Sequence, residues 1–135
     1  MGKVVHDQRV VEFVAQRIGP VPDKCTAVGW ESDDGRITAG ALFERFNGRN
    51  VFFHGAADGS GQFSRVFLRA IARHAFVTLG AARVTTVTQS SNTRALAWDL
   101  AYGFKEEGRM VGAAHDGSDS VYLVLWKDEC KWLKL

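Results

Sequence analysis

Residues 82–108, ARVTTVTQSSNTRALAWDLAYGFKEEG, read as a strand, a polar turn, a short helix, a glycine turn and the start of another strand. Val84 and Val87 stand among Thr85, Thr86 and Thr88, and this run of β-branched residues favours an extended, largely buried strand over 83–89 rather than a helix. Gln89, Ser90, Ser91 and Asn92 then break it. A side-chain oxygen of Ser91 or Asn92 can cap the next helix, whose apolar Ala95, Leu96, Trp98 and Tyr102 recur at roughly helical spacing. Gly103 ends that helix, and Phe104 enters a further strand.

Upstream, Phe63, Val66, Phe67, Ala70, Ile71, His74, Ala75 and Leu79 form one apolar stripe, which predicts the longest helix over 62–79, closed by Gly80. Before it lie extended runs at 25–31 and 36–46, separated by Ser-Asp-Asp-Gly, and a second turn at 47–50 that leads into a third run from Val51. Three consecutive strands joined by short turns form an antiparallel meander most simply. At the start, Val10, Val11, Phe13, Val14 and Ile18 mark one face of a helix over 7–18, capped by Asp7 and stopped by Gly19 and Pro20. Downstream, 104–114 and 120–126 read as a hairpin around 115–119, followed by a short aromatic tail. The expected class is α+β: a mixed, mostly antiparallel central sheet with helices on both faces.

A chain of 135 residues is long enough for one domain with a real core, so 1–135 is read as a single domain. An apolar fraction of 46% with 24% charged residues belongs to an ordinary globular protein, neither disordered nor membrane-spanning. The net charge of +2 is spread along the chain, which argues against a nucleic-acid stripe and favours anionic ligands only weakly. Cys25 and Cys130 form no CxxC pair, so neither a disulfide framework nor a zinc site is expected. The opening MGKVVHDQRVVEF has no signal-type apolar block, and no run reaches membrane-spanning length; a cytoplasmic protein with reduced thiols is expected.

The pattern Asn92-Thr93-Arg94-Ala95 followed by Gly103-Phe104-Lys105-Glu106-Glu107-Gly108, with a long helix after the third meander strand, resembles the GNAT acetyltransferase superfamily. The run from Phe76 through Gly108 to Glu129-Cys130-Lys131-Trp132-Leu133 is similar to small members common in phages and prophages. The resemblance implies that strands 51–57 and 83–89 run parallel and splay apart. An extended pantetheine arm of acetyl-CoA, the co-substrate, would pair with their free backbone groups. It places Phe53, Gly55, Gln89 and Asn92 at the coenzyme and the pyrophosphate at the start of the long helix, where free N–H groups favour an anion. It makes Glu107 a structural partner near Gly108.

Two departures from the family pattern stand out. In place of a Gln/Arg-x-x-Gly-x-Gly/Ala loop the chain carries Asp58-Gly59-Ser60-Gly61-Gln62-Phe63-Ser64-Arg65. Gly59 and Gly61 still allow close backbone approach, with Ser60, Ser64 and Arg65 as donors, whereas Asp58 repels phosphate unless turned away. Where many members hold a tyrosine seven residues after the asparagine to protonate the leaving thiolate, this chain holds Asp99, with Tyr102 on a neighbouring face. The candidate acids are therefore Asp99, Tyr102 and water. His54 is the candidate base, facing either the slot or the opposite side in alternation with Phe53; Glu31 and Glu44 are alternatives acting through water.

The reading that follows is direct transfer of acetyl from acetyl-CoA to a primary amine. The other reading is a GNAT-fold acyl-CoA-binding or host-interaction protein without catalysis. The acceptor is not legible, because the loops at 20–24 and 115–119 carry no specificity motif. The open edge of the last hairpin and the aromatic tail are compatible with a homodimer.

Overall fold

The computed structural model describes residues 1–59 and 63–134. In chain order the elements are β1 (Lys3–Val5), α1 (Gln8–Ile18), β2 (Thr26–Glu31), β3 (Ile37–Glu44), β4 (Asn50–Ala57), α2 (Arg65–Arg73), β5 (Arg83–Gln89), α3 (Thr93–Tyr102), β6 (Lys105–Met110) and β7 (Ser120–Trp126). The strands form one sheet in the order β1-β2-β3-β4-β5-β7-β6, antiparallel throughout except where β4 meets β5. The expected class and the meander of β2, β3 and β4 are both present.

The Asp7 carboxylate accepts the Arg9 N–H at 3.0 Å and so caps α1, which buries Val10, Phe13 and Val14 against β2, β3 and β4. Glycines let it come close. A Cβ on Gly29 would stand 2.3 Å from a Val10 methyl, and one on Gly40 would stand 2.9 Å from methyls of both Val10 and Val14. The opposite face carries the main core, where α2 and α3 bring Phe67, Ile71 and Tyr102 onto Phe43, Val51, Phe53, Val84 and Leu123.

Four boundaries differ from the sequence expectation. β1 adds a strand: three residues are too few to show alternation, yet Val4 and Val5 pack on the two opposite cores. Helix α2 starts at Arg65 because Ser64 Oγ accepts the Val66 N–H at 3.1 Å. Phe63 precedes the helix but stacks on Phe67 with ring centroids 6.1 Å apart, so its spacing imitated one more helical turn. After Arg73 the helix widens into a π turn, His74–Thr78, with the Leu79 N–H donating to His74 O at 2.9 Å. Strand β6 stops at Met110, where Asp119 Oδ1 takes the Gly112 N–H at 3.0 Å and turns the chain early.

The parallel pair defines the molecule. β4 and β5 are in register only over Asn50 with Arg83, Val51 with Val84 and Phe52 with Thr85. Beyond that point β4 continues on β3 as far as Ala57, β5 continues on β7 as far as Gln89, and a gap opens between them. A polar clamp holds the closed end. Arg83 Nε and Thr85 Oγ1 both donate to Asn50 Oδ1, at 3.0 and 2.6 Å, and the Arg83 guanidinium grips both oxygens of Glu107 on β6 at 3.0 and 3.1 Å.

The glycine floor under α1 yields a direct test. Gly29→Ala should lower stability by about 1–3 kcal/mol, the usual penalty for overfilling a packed contact. Thermal melts should show part of the loss recovered when Val10→Ala is added. An unchanged melting temperature for the single variant would mean that α1 does not sit on this floor.

Candidate active site

The gap between β4 and β5 has two unlike faces. On the α2 and α3 face Phe53 is buried, stacked on Trp98 at 5.9 Å with the rings 6° from parallel. Gly55 and Ala57 follow on the same face and are exposed. A Cβ on Gly55 would stand 2.8 Å from the Phe53 ring, so glycine there makes room for that ring. At the vertex Thr86 Oγ1 donates to Phe53 O at 3.1 Å, and above it Thr88 Oγ1 donates to Asp99 Oδ2 at 2.7 Å. Asp99 is only 4% exposed, and this burial raises its carboxyl to about 6, against the smaller opposing effect of the Thr88 hydrogen bond.

Tyr102 is brought to a different place. Its hydroxyl donates to Leu68 O at 2.7 Å, and its ring stacks on Trp98 at 5.0 Å and Trp132 at 5.5 Å, so it ties α3 to α2 and to the tail. Burial pushes its hydroxyl far above the ordinary tyrosine range, and its proton is engaged by a helix carbonyl.

The other face carries His54. The register pairs it with Leu42, which packs against α1, so it points away from Phe53 and Trp98. Its Nε2 makes a short hydrogen bond to Glu44 Oε2, and its side chain is 30% exposed. α1 covers β2, β3 and β4, while on the same face of β5 and β7 Val87 and Trp126 stand open at 42% and 37% exposure. Glu31 is elsewhere: Arg9 Nη2 holds it at 2.6 Å and Lys3 lies 3.5 Å away, which keeps its carboxyl below the usual range.

At the mouth of the gap the first turn of α2 presents Arg65 and no acidic residue. Ser64 spends its oxygen on the helix cap, and Gly59 takes φ 77, a left-handed backbone suited to glycine. Ser60 and Gly61 lie outside the described residues. Asp58 donates its N–H to Thr38 O at 3.0 Å, and its charge acts on Arg36 on the β3 side of the strand. Asn92, rather than Ser91, is the cap of α3: its Oδ1 accepts the Ala95 N–H at 3.1 Å, leaving the amide NH2 exposed. Gln89 ends β5 at the open side and is likewise exposed.

One residue was missed from the sequence. Arg94, in the first turn of α3, reaches across to the β4–α2 loop, where a Cβ on Gly59 would lie 3.3 Å from Nη2. A cation in the first turn of a helix opposes the macrodipole. That unfavourable placement, inside the signature itself, was the available signal.

A cleft of about 450 Å³ lies on the β3 side of β4, lined by Trp30, Arg36, Asp58, Phe63 and Phe67 among others, and it shares Ala57, Gly59 and Ser64 with the mouth of the gap. Among the described residues no group of three or more His, Cys, Asp or Glu side chains could hold a metal ion. No helix among them is long and apolar enough to cross a membrane.

No family model matches the chain, and no curated protein matches it in sequence. Solved structures do. Mutant forms of the spermidine/spermine N-acetyltransferase SpeG from Vibrio cholerae superpose with a TM-score of 0.79 at 13% identity, covering 99% of this chain and 98% of that one. A dodecameric spermidine N-acetyltransferase from the same organism gives 0.76 at 14% identity, covering 98% and 96%. The chain therefore has the GNAT fold that its motifs imply.

The buried carboxyl on α3 makes stability depend on pH in a defined direction. A carboxyl near 3.8 when unfolded and about 6 when folded binds a proton more tightly in the native state, so stability falls as pH rises from about 4 to above 6. The loss at pH 8 is about 3 kcal/mol. Asp99→Asn keeps an acceptor for Thr88 and removes the charge. It should raise the melting temperature at pH 8 and leave it nearly unchanged at pH 4; equal shifts at both would show that ionisation of Asp99 is not what burial opposes.

Proposed function

We propose that the chain is an acetyl-CoA-dependent N-acetyltransferase that moves acetyl directly to a primary amine. The carrying observation is the splayed β4–β5 pair, with a histidine–carboxylate pair on one side of its vertex and a buried carboxyl on the other. The residues present suit the coenzyme. Free strand edge flanked by Gly55 and Ala57 admits an extended pantetheine arm, while Arg65, Arg94 and the first turn of α2 offer charge and N–H groups to the pyrophosphate. The Asn92 amide NH2 and Gln89 border the same opening.

His54 takes the proton from the acceptor's ammonium, so that the free amine can attack. The thioester supplies the acyl group: the new C–N bond forms as the C–S bond breaks, the sulfur leaves as thiolate, and the extra proton left on the nitrogen after attack passes to solvent. Asp99, with its carboxyl raised to about 6, returns a proton to that sulfur directly or through water, in place of the tyrosine common in this fold. Holding both reactants in one gap supplies much of the acceleration, and no covalent enzyme intermediate is needed. The neighbours of known structure act on spermidine and spermine, which makes polyamines the first acceptors to try.

Calorimetric titration should show saturable binding of acetyl-CoA, with Arg94→Ala weakening it about tenfold, the equivalent of ~1.4 kcal/mol. Absence of binding at millimolar concentration would sink the proposal. If acetyl-CoA binds but no thiol is released across polyamines, lysine peptides and modified nucleosides, a non-catalytic acyl-CoA-binding protein becomes the better reading.

A further inference from the structure

Beside His54 the end of β3 is built in an unusual way. Glu44 Oε2 accepts the short hydrogen bond from His54 Nε2, while Glu44 Oε1 lies 3.2 Å from Arg45 Nε. Arg45 has φ 54, and it is the one residue other than glycine with positive φ among the described residues. Non-glycine side chains enter that region only at a cost, which persists where the surroundings over-determine it. The turned backbone folds the guanidinium back over the Phe52 ring, 3.9 Å from its centroid, and against Glu44. Phe52 is the strand partner of Glu44. The Glu44 side chain is 12% exposed, so each of its oxygens has a fixed partner in a partly dry setting.

We infer that Glu44 is a positioning residue for His54, itself fixed by Arg45 through the left-handed turn at the end of β3. The inference rests on the reading of His54 as the base. A carboxylate at Nε2 requires that nitrogen to carry the hydrogen, which leaves the lone pair on Nδ1. The acceptor's ammonium then gives its proton to Nδ1, while the Nε2 hydrogen stays on Glu44 and the carboxylate faces the imidazolium that forms. Glu44 takes no proton itself. The charged and titratable groups at this end of β3 include Glu44 and Arg45, with Asp23, Lys24 and Cys25 lining the same cleft as that pair and Cys25 feeling the charge of Glu44.

Nitrogen-15 spectra of the histidine rings, taken at a pH where they are neutral, should show His54 as the Nε2–H tautomer in the full chain. Glu44→Ala should turn it into a mixture. His6, whose Nδ1 sits 2.9 Å from Ala27 O, should keep its own signals and serve as the internal control. An unchanged His54 tautomer in Glu44→Ala would overturn the inference. In acetyl transfer to whichever amine is accepted, Glu44→Ala should lower kcat by about 10- to 100-fold with little change in KM, a share of what a general base contributes. Glu44→Gln, whose amide oxygen still accepts the Nε2 hydrogen, should recover most of it.

Added to His54→Ala, Glu44→Ala should cost less than about twofold more, because positioning has nothing left to position. A cost of similar size with and without His54 would make Glu44 an independent base and end the positioning role. Arg45→Gly suits the left-handed backbone, so it should keep the melting temperature while lowering kcat several-fold; unchanged kcat would remove Arg45 from the device. Should no amine be acetylated, the parent reading fails, and the ring tautomer alone still decides the role of Glu44.

Discussion

Two parallel strands that pair at one end and part at the other have to be held at both. In this chain three residue pairs join β4 to β5, and the rest of each strand is committed to a different neighbour. So little ladder would slip or zip further without help. The Arg83 guanidinium supplies the help by binding Asn50 of β4, Thr85 of its own strand and Glu107 of β6 together, at only 20% exposure, where hydrogen bonds to charge are worth more than at a free surface. At the vertex, Thr86 occupies the Phe53 carbonyl with a side chain, which blocks continuation of the backbone ladder. The closed end is thus electrostatic, and the opening begins where a hydroxyl replaces a backbone donor.

The same wedge separates two kinds of environment. On one side α2, α3 and the tail pack aromatic rings from Phe53 through Trp98 and Tyr102 to Trp132, and Asp99 of α3 is buried. Desolvation there disfavours the charged carboxylate, and a lone threonine hydroxyl offsets only part of it. On the other side α1 stops short of β5, so His54 and Glu44 keep contact with solvent and with each other. A carboxyl whose ionisation is opposed by burial and a histidine hydrogen-bonded to a glutamate thus stand in unlike surroundings on the two faces of one gap.

Most of this plan was legible because it follows from repeating patterns. The threonine-rich strand at 83–89, the glycine stop at 103 and the stripe of α1 are local features, and local physics decided them. What escaped depends on tertiary partners. β1 exists because β2 offers it an edge; Phe63 fits a helical period but belongs to an aromatic stack; Tyr102 has the chemistry of an acid and the surroundings of a core residue. Arg94 was hidden inside a motif read as a helix start, and only the closeness of Gly59 across the opening reveals what it faces.

Asp99 also fits the packing around it. On α3 the rings of Trp98 and Tyr102, one turn apart, stack on each other at 5.0 Å. The Asp99 carboxyl meets Thr88 of β5. Burial at that position opposes its ionisation. Burial, opposed in part by the Thr88 hydrogen bond, is what raises that carboxyl to about 6. Tyr102, by binding Leu68 rather than entering the gap, secures α3 on α2 and with it the depth at which that carboxyl is buried.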